Sequence, residues 1–126
     1  MKGAPRISEA EWEVMKVVWK KAPCRAHEVI QTLSTTARWE AATIKTLLNR
    51  LIAKGALRFE KAGRSYVYSP AYTEEECRGA EADSFLHRVF DGALSPMISH
   101  FVRSRRLTQK ELDALEKILQ ERKREK

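Results

Sequence analysis

Apolar positions recur at helical spacing in six stretches of this chain and alternate in one more. Ser8 and Glu11 form an S-x-x-E capping box ahead of Trp12, Met15, Val18 and Trp19, which predicts a helix from Glu9 to Lys20, broken by Pro23. A second helix is predicted from Arg25 to Thr35, with Val29, Ile30 and Leu33 inward and a weakly marked N-cap. The third, from Ala41 to Lys54, carries Ile44, Leu47, Leu48 and Leu51 at i, i+3, i+4 and i+7, and Gly55 follows where a C′ glycine belongs.

The runs Ala56–Lys61 and Tyr66–Pro70 then alternate around Ala62-Gly63-Arg64-Ser65, the pattern of a β-hairpin with a basic tip. After Pro70 the pattern is helical again. Thr73 and Glu76 make a second capping box, ahead of a helix from Glu74 to Asp91 closed by Gly92. Ser95-Pro96 reads as N-cap plus N1 proline of a short helix through Met97, Ile98, Phe101 and Val102. Thr108 and Glu111 cap a last helix to Arg122, lined by Leu112, Leu115, Ile118 and Leu119.

The predicted class is mainly α with a small β-hairpin (α+β). Three helices followed by a hairpin is the order of a winged helix-turn-helix domain, in which the third helix enters the major groove and the hairpin lies on the backbone beside it. This assigns residues 1–71 to DNA binding and residues 72–126 to a helical dimerisation domain.

Charge supports the division. Lys and Arg outnumber Asp and Glu by 13 to 6 up to Pro70, and match them at 11 to 11 beyond it. All of the net charge of +7 therefore lies in the first half, as expected of a basic binding part joined to a neutral part with another task. Between Arg38 and Arg64 there are seven basic residues (Arg38, Lys45, Arg50, Lys54, Arg58, Lys61, Arg64) against Glu40 and Glu60.

The third helix's polar face, Thr43, Lys45, Thr46, Asn49 and Arg50, holds no acid. Lysine and arginine can donate to guanine O6 and N7, asparagine can pair with adenine, and threonine offers a hydroxyl and a methyl. Lys61 and Arg64 at the hairpin tip suit phosphate contacts. Trp12 and Trp19 read as core, Trp39 as a staple at the entry of the third helix, and Tyr66 and Tyr68 as strand packing.

Other chemistries lack their residues. Cys24 and Cys77 make no CxxC pair, and His27, His87 and His100 make no HxxxH or HExxH pattern, so no metal, cofactor or disulfide framework is expected. No nucleophile set or glycine-rich phosphate loop appears, so the chain does not read as an enzyme. No apolar run approaches the ~20 residues of a membrane span, and the N-terminus lacks a signal-peptide apolar region, so a cytoplasmic protein without membrane binding is expected.

The last three helices are too few to cover their own apolar faces. A second copy presenting the same faces would do so, through Phe85, Leu86, Val89, Phe90 and the seam of Leu112, Leu115 and Leu119. The alternative is that these helices fold back on the winged domain of their own chain. On the residues alone, the rival to DNA binding is a winged-helix adaptor whose basic face meets an acidic protein partner.

Several segments resemble the penicillinase repressor family, BlaI/MecI: Ile7–Met15 (ISEAEWEVM), Ala42–Leu51 (ATIKTLLNRL) with Lys54-Gly55, and the wing end Tyr66–Pro70 (YVYSP). The resemblance implies a homodimeric transcriptional repressor on a palindromic operator ahead of β-lactamase or related genes. It also implies release when a membrane zinc metallopeptidase sensor of β-lactams leads to cleavage in the C-terminal part. By position the family's groove-reading residues fall on Thr43, Lys45, Thr46, Asn49 and Arg50. The Asn-Phe scissile pair of staphylococcal members corresponds to His100-Phe101, with the phenylalanine kept and the asparagine replaced. A copper-responsive branch ends in a cysteine cluster. This chain ends QERKREK without cysteine, which points away from metal-regulated release.

Overall fold

A computed structural model describes residues 3–104 and 107–125. Met1, Lys2, Arg105, Arg106 and Lys126, counted above in the charge and in the two domains, lie outside the described residues. The elements are α1 (Glu9–Lys21), β1 (Cys24–Arg25), α2 (Ala26–Thr36), α3 (Ala41–Ala53), β2 (Leu57–Ala62), β3 (Ser65–Pro70), α4 (Glu74–Phe90), α5 (Leu94–Arg103) and α6 (Gln109–Arg124). The chain divides into two compact units, Met1–Asp83 and Ser84–Lys126. The units part inside α4, whereas the sequence pattern changes at Pro70.

In the first unit, α1, α2 and α3 enclose the core with the sheet against one side. Val14, Met15, Val18, Val29, Ile44, Leu48 and Leu51 are fully buried, and Leu33, Leu47, Leu57 and Tyr68 nearly so. Trp12, Trp19, Ile30 and Trp39 pack on this cluster half-buried. Trp12 and Trp19 meet edge to face at 5.5 Å, and the Trp19 indole N–H donates to the Tyr72 carbonyl at 3.0 Å. That bond gives the one polar atom of the indole a partner, as a partly buried tryptophan requires.

All three capping boxes close. The Glu11 amide donates to Ser8 Oγ at 3.1 Å and the Ser8 amide to Glu11 Oε1 at 2.9 Å. Thr73 with Glu76, and Thr108 with Glu111, repeat the reciprocal pattern. Each box satisfies two amides that the first helical turn leaves without intrahelical partners.

The turn between α2 and α3 is residues 37–40, with Arg38 in the left-handed region at φ 57°. The hairpin is in register from Leu57↔Pro70 to Ala62↔Ser65, leaving Gly63 (φ 66°) and Arg64 as a two-residue loop. A positive φ at the first loop position matches the right-handed twist of the strands and suits glycine.

Two features depart from the sequence pattern. Cys24–Arg25 forms a short strand pairing with β3, so the wing is a three-stranded sheet of order β1-β3-β2. Two residues carry no periodicity, and Pro23 beside them reads only as a helix stop. Helix α5 begins at Leu94 with Ala93 as N-cap, not at Ser95-Pro96. Pro96 then falls in the first turn, where its missing N–H costs no intrahelical bond.

Helix α4 buries Cys77, which belongs to the first unit. In the second unit, α5 and α6 contain no buried residue. The Phe85 and Phe90 rings meet at 5.8 Å, and the Arg88 guanidinium lies 5.9 Å over Phe85. Among the described residues, no helix is long and apolar enough to cross a membrane.

Candidate nucleic-acid interface

Helix α3 has one face committed to the core and one left open. Ile44, Leu47, Leu48 and Leu51 are all buried. Thr43, Lys45, Thr46, Asn49 and Arg50 are all exposed. Four interlocked anchors fix the helix axis and its rotation, so the polar face is presented with little conformational freedom left to lose on binding. Thr46 Oγ1 donates to the Ala42 carbonyl at 3.0 Å while the residue stays exposed. Lys45 and Arg50 are in no ion pair among the described residues.

The wing supplies a second basic element. Lys61 and Arg64 are exposed at its tip, Lys61 opposite Tyr66 in the ladder and Arg64 in the loop. Tyr66 and Tyr68 share a strand face but differ in role. Tyr68 is buried against the core, while Tyr66 stacks edge-on against Phe59 at 5.0 Å with both rings about half exposed. Burial pushes the Tyr68 hydroxyl above its ordinary value, helped by Tyr66 and Cys24, so it stays a neutral donor at physiological pH.

Lys54 leaves the basic face that its place in the sequence suggests. Its Nζ donates to Glu11 Oε1 at 2.5 Å and to the Arg6 carbonyl at 2.8 Å. Glu11 is 3% exposed, the one buried charged side chain among the described residues. Burial by itself would raise its carboxyl. The Lys54 hydrogen bond, the Ser8 amide and the Lys54 charge outweigh that and hold it below the usual carboxylate range. The pair therefore ties the C-terminus of α3 to the first turn of α1, and it is structural.

Periodicity also misses contributors. A cleft between the start of α2, the open face of α3 and strand β3 is lined by Arg25, His27, Lys45, Asn49, Ser65 and Tyr66, among others. The Arg25 guanidinium donates to Ser65 Oγ across the sheet. A basic residue at the start of the second helix is visible in the sequence, but only the third strand aims it at the wing.

The other polar candidates are inert. Both cysteines are buried, and burial, aided by Glu28 at Cys24 and by Glu76 at Cys77, pushes their thiols up, so they remain protonated. No group of three potential metal ligands occurs among the described residues.

Of the residues expected at a dimer interface, Phe85, Leu86, Phe90 and Leu112 are half-buried in the chain itself, while Val89, Leu115 and Leu119 are exposed. His100 and Phe101 are both exposed within α5, and the His100 carbonyl accepts from the Ser104 amide at 3.1 Å.

Comparison with known proteins agrees with this geometry. The penicillinase repressor family model matches residues 7–121. The chain is 44% identical over 126 residues to a penicillinase repressor of Bacillus licheniformis, spanning 100% of this chain and 98% of that one. It is 31% identical over 113 residues to the methicillin resistance regulatory protein MecI of Staphylococcus aureus, spanning 90% and 92% of the two. The solution structure of the monomeric form of Bacillus licheniformis BlaI in complex with the blaP half-operator matches at a TM-score of 0.53 and 51% identity, covering 60% of this chain and 93% of that one. This chain belongs to the penicillinase repressor family and is a DNA-binding transcriptional repressor built on a winged helix-turn-helix.

Proposed function

We propose that the protein acts in the cytoplasm as a homodimer on a palindromic operator and represses β-lactamase or related antibiotic-response genes. The observation that carries this reading is the acid-free polar face of α3, locked on a buried stripe beside a basic-tipped wing. Thr43, Lys45, Thr46, Asn49 and Arg50 read base edges, and Lys61 and Arg64 hold phosphates.

The dimer is argued from what the second unit leaves uncovered. Helix α5 has 10 residues and buries none of them. A helix of that length is marginal in water by itself and needs tertiary packing of its apolar side. Ile98, Phe101, Val102, Leu115, Ile118 and Leu119 are all large, apolar and exposed. A second copy covers them symmetrically and sets the two recognition helices for half-sites one DNA turn, about 34–36 Å, or a multiple of it apart.

Release follows from cutting α5 between His100 and Phe101 through the pathway of a membrane metallopeptidase sensor. Within a single chain α5 buries no residue, so once it is uncovered from the partner copy, local unwinding to admit a protease costs little. The cut separates α6 and its leucine seam from the rest of the chain, and a lone DNA-binding part loses the effective-concentration advantage of the second half-site.

The test pairs sedimentation with a salt titration. The intact protein should sediment as a dimer at micromolar concentration and bind a palindromic duplex with a steep log–log salt slope and a clear preference over random sequence. A dimer that binds all duplexes alike would overturn specific repression. Intact protein that sediments as a monomer and still binds the palindrome tightly would overturn both the interface and the release step.

A further inference from the structure

We infer that the cleft between α2, α3 and the wing seats one backbone phosphate in each operator half-site, with Arg25 as its main ligand and Ser65 as the residue that positions Arg25. The inference rests on the DNA-binding reading above and adds to it a contact outside α3 and the wing tip.

Three observations meet at this cleft. Its volume is about 330 Å³, and no carboxylate lines it. Two of its lining residues, Arg25 and Lys45, carry full positive charge and are in no ion pair among the described residues. Glu28, the nearest acid in sequence to Arg25, accepts with Oε2 from the Arg25 backbone amide at 2.7 Å, and it neither lines the cleft nor pairs with the guanidinium. Two cations facing one cavity without a counter-charge repel each other, and an anion entering between them relieves that repulsion.

The Arg25 side chain is also oriented in advance. Strand β1 pairs Arg25 with Val67, and one guanidinium nitrogen donates to Ser65 Oγ at the start of β3. A guanidinium has five N–H donors in a fixed fork, so one bond to Ser65 restrains it toward the wing and leaves donors for two oxygens of a phosphodiester. Asn49 and the Ser65 hydroxyl add neutral polar groups around it. The anion is a backbone phosphate rather than a base edge because Arg25 stands on the sheet beside α3, not on the face of α3 that faces the groove floor. The same contact ties the wing to the start of α2, so the DNA strand bridges both.

The experiment uses the full-length protein and a duplex that it has selected from a random pool. Each phosphate of one half-site is replaced in turn by a neutral methylphosphonate. Wild type should lose roughly tenfold at one position that faces the cleft. Arg25→Ala should lose roughly tenfold on the unmodified duplex, lose nothing further at that position, and show a salt slope lower by about one per half-site. Arg25→Lys should fall between the two, since it restores the charge without the fork. Ser65→Ala should weaken binding two- to threefold, roughly the loss of one restraint on the fork, with the salt slope unchanged. Arg25 is exposed, so these variants should keep the wild-type circular dichroism.

If Arg25→Ala binds like wild type while Lys45→Ala is weakened, the cleft assignment is wrong and the DNA-binding reading stands. If both bind like wild type, the reading of the whole face fails with it. An Arg25→Ala protein that is weakened yet remains sensitive at every position that affects wild type would also overturn the assignment.

Discussion

Lys54→Ala separates a structural lysine from the DNA-reading ones. The substitution removes the ammonium that meets Glu11 at 2.5 Å and leaves a carboxylate that is 3% exposed with the Ser8 amide as its remaining close donor. Breaking a fully buried ion pair from one side costs about 3–5 kcal/mol. The Lys54 side chain is 32% exposed and water can reach the vacated site, so about 2 kcal/mol is expected here. Urea unfolding at one fixed protein concentration measures it.

The loss should depend on pH in a definite direction. The Glu11 carboxyl sits below its ordinary value of 4.5 in the folded protein. Its contribution is therefore fully present above about pH 4.5 and disappears as pH falls through the folded value. Wild type and Lys54→Ala should differ most near neutrality and converge in acid. DNA binding by the folded variant should keep the wild-type salt slope, because Lys54 is engaged with Glu11 and the Arg6 carbonyl. A variant of unchanged stability whose salt slope drops by about one would refute the structural assignment and return Lys54 to the DNA face.

Lys45→Ala and Arg50→Ala should keep the fold, since both side chains lie off the buried stripe, and should weaken operator binding by about 1–3 kcal/mol with relaxed specificity at one base pair. A fluorescence-anisotropy series over single-base operator variants reads both effects, and normal affinity in both proteins would mean the wrong face was assigned. Lys61→Ala and Arg64→Ala should each weaken all sequences alike and lower the salt slope by about one, whereas an altered sequence preference would make the wing a reader. Leu119→Asp, at a position 58% exposed in the single chain, should leave the helix content of the monomer intact and split the dimer by placing an unpaired charge in its interface. A Leu119→Asp protein that still sediments as a dimer would remove α6 from the interface.

Much of this protein is legible from local pattern because its elements are closed by local chemistry. The three S/T-x-x-E boxes act within four residues, so a short window contains everything needed to place the starts of α1, α4 and α6. The stripe of Ile44, Leu47, Leu48 and Leu51 defines both faces of α3 at once, since a helix that buries one side must turn the residues between outward. Alternation around Gly63 places the hairpin to within a residue.

What pattern does not supply depends on contacts between residues distant along the chain. Strand β1 exists because Cys24 and Arg25 meet Tyr68 and Val67, more than 40 positions away, and a two-residue strand has no period of its own. The start of α5 differs from the pattern because a proline suits several positions in a first turn, so Ser95-Pro96 does not by itself fix which residue begins the helix after Asp91 and Gly92, both at positive φ. Lys54 and Arg25 show the same division in charge. Sequence establishes that the first half is basic. Only the packing of α1 against α3 turns Lys54 inward to a buried carboxylate, and only the third strand aims Arg25 at the wing, because a side chain's electrostatic role is set by which neighbours lie within a few ångströms, and those neighbours come from elsewhere in the chain.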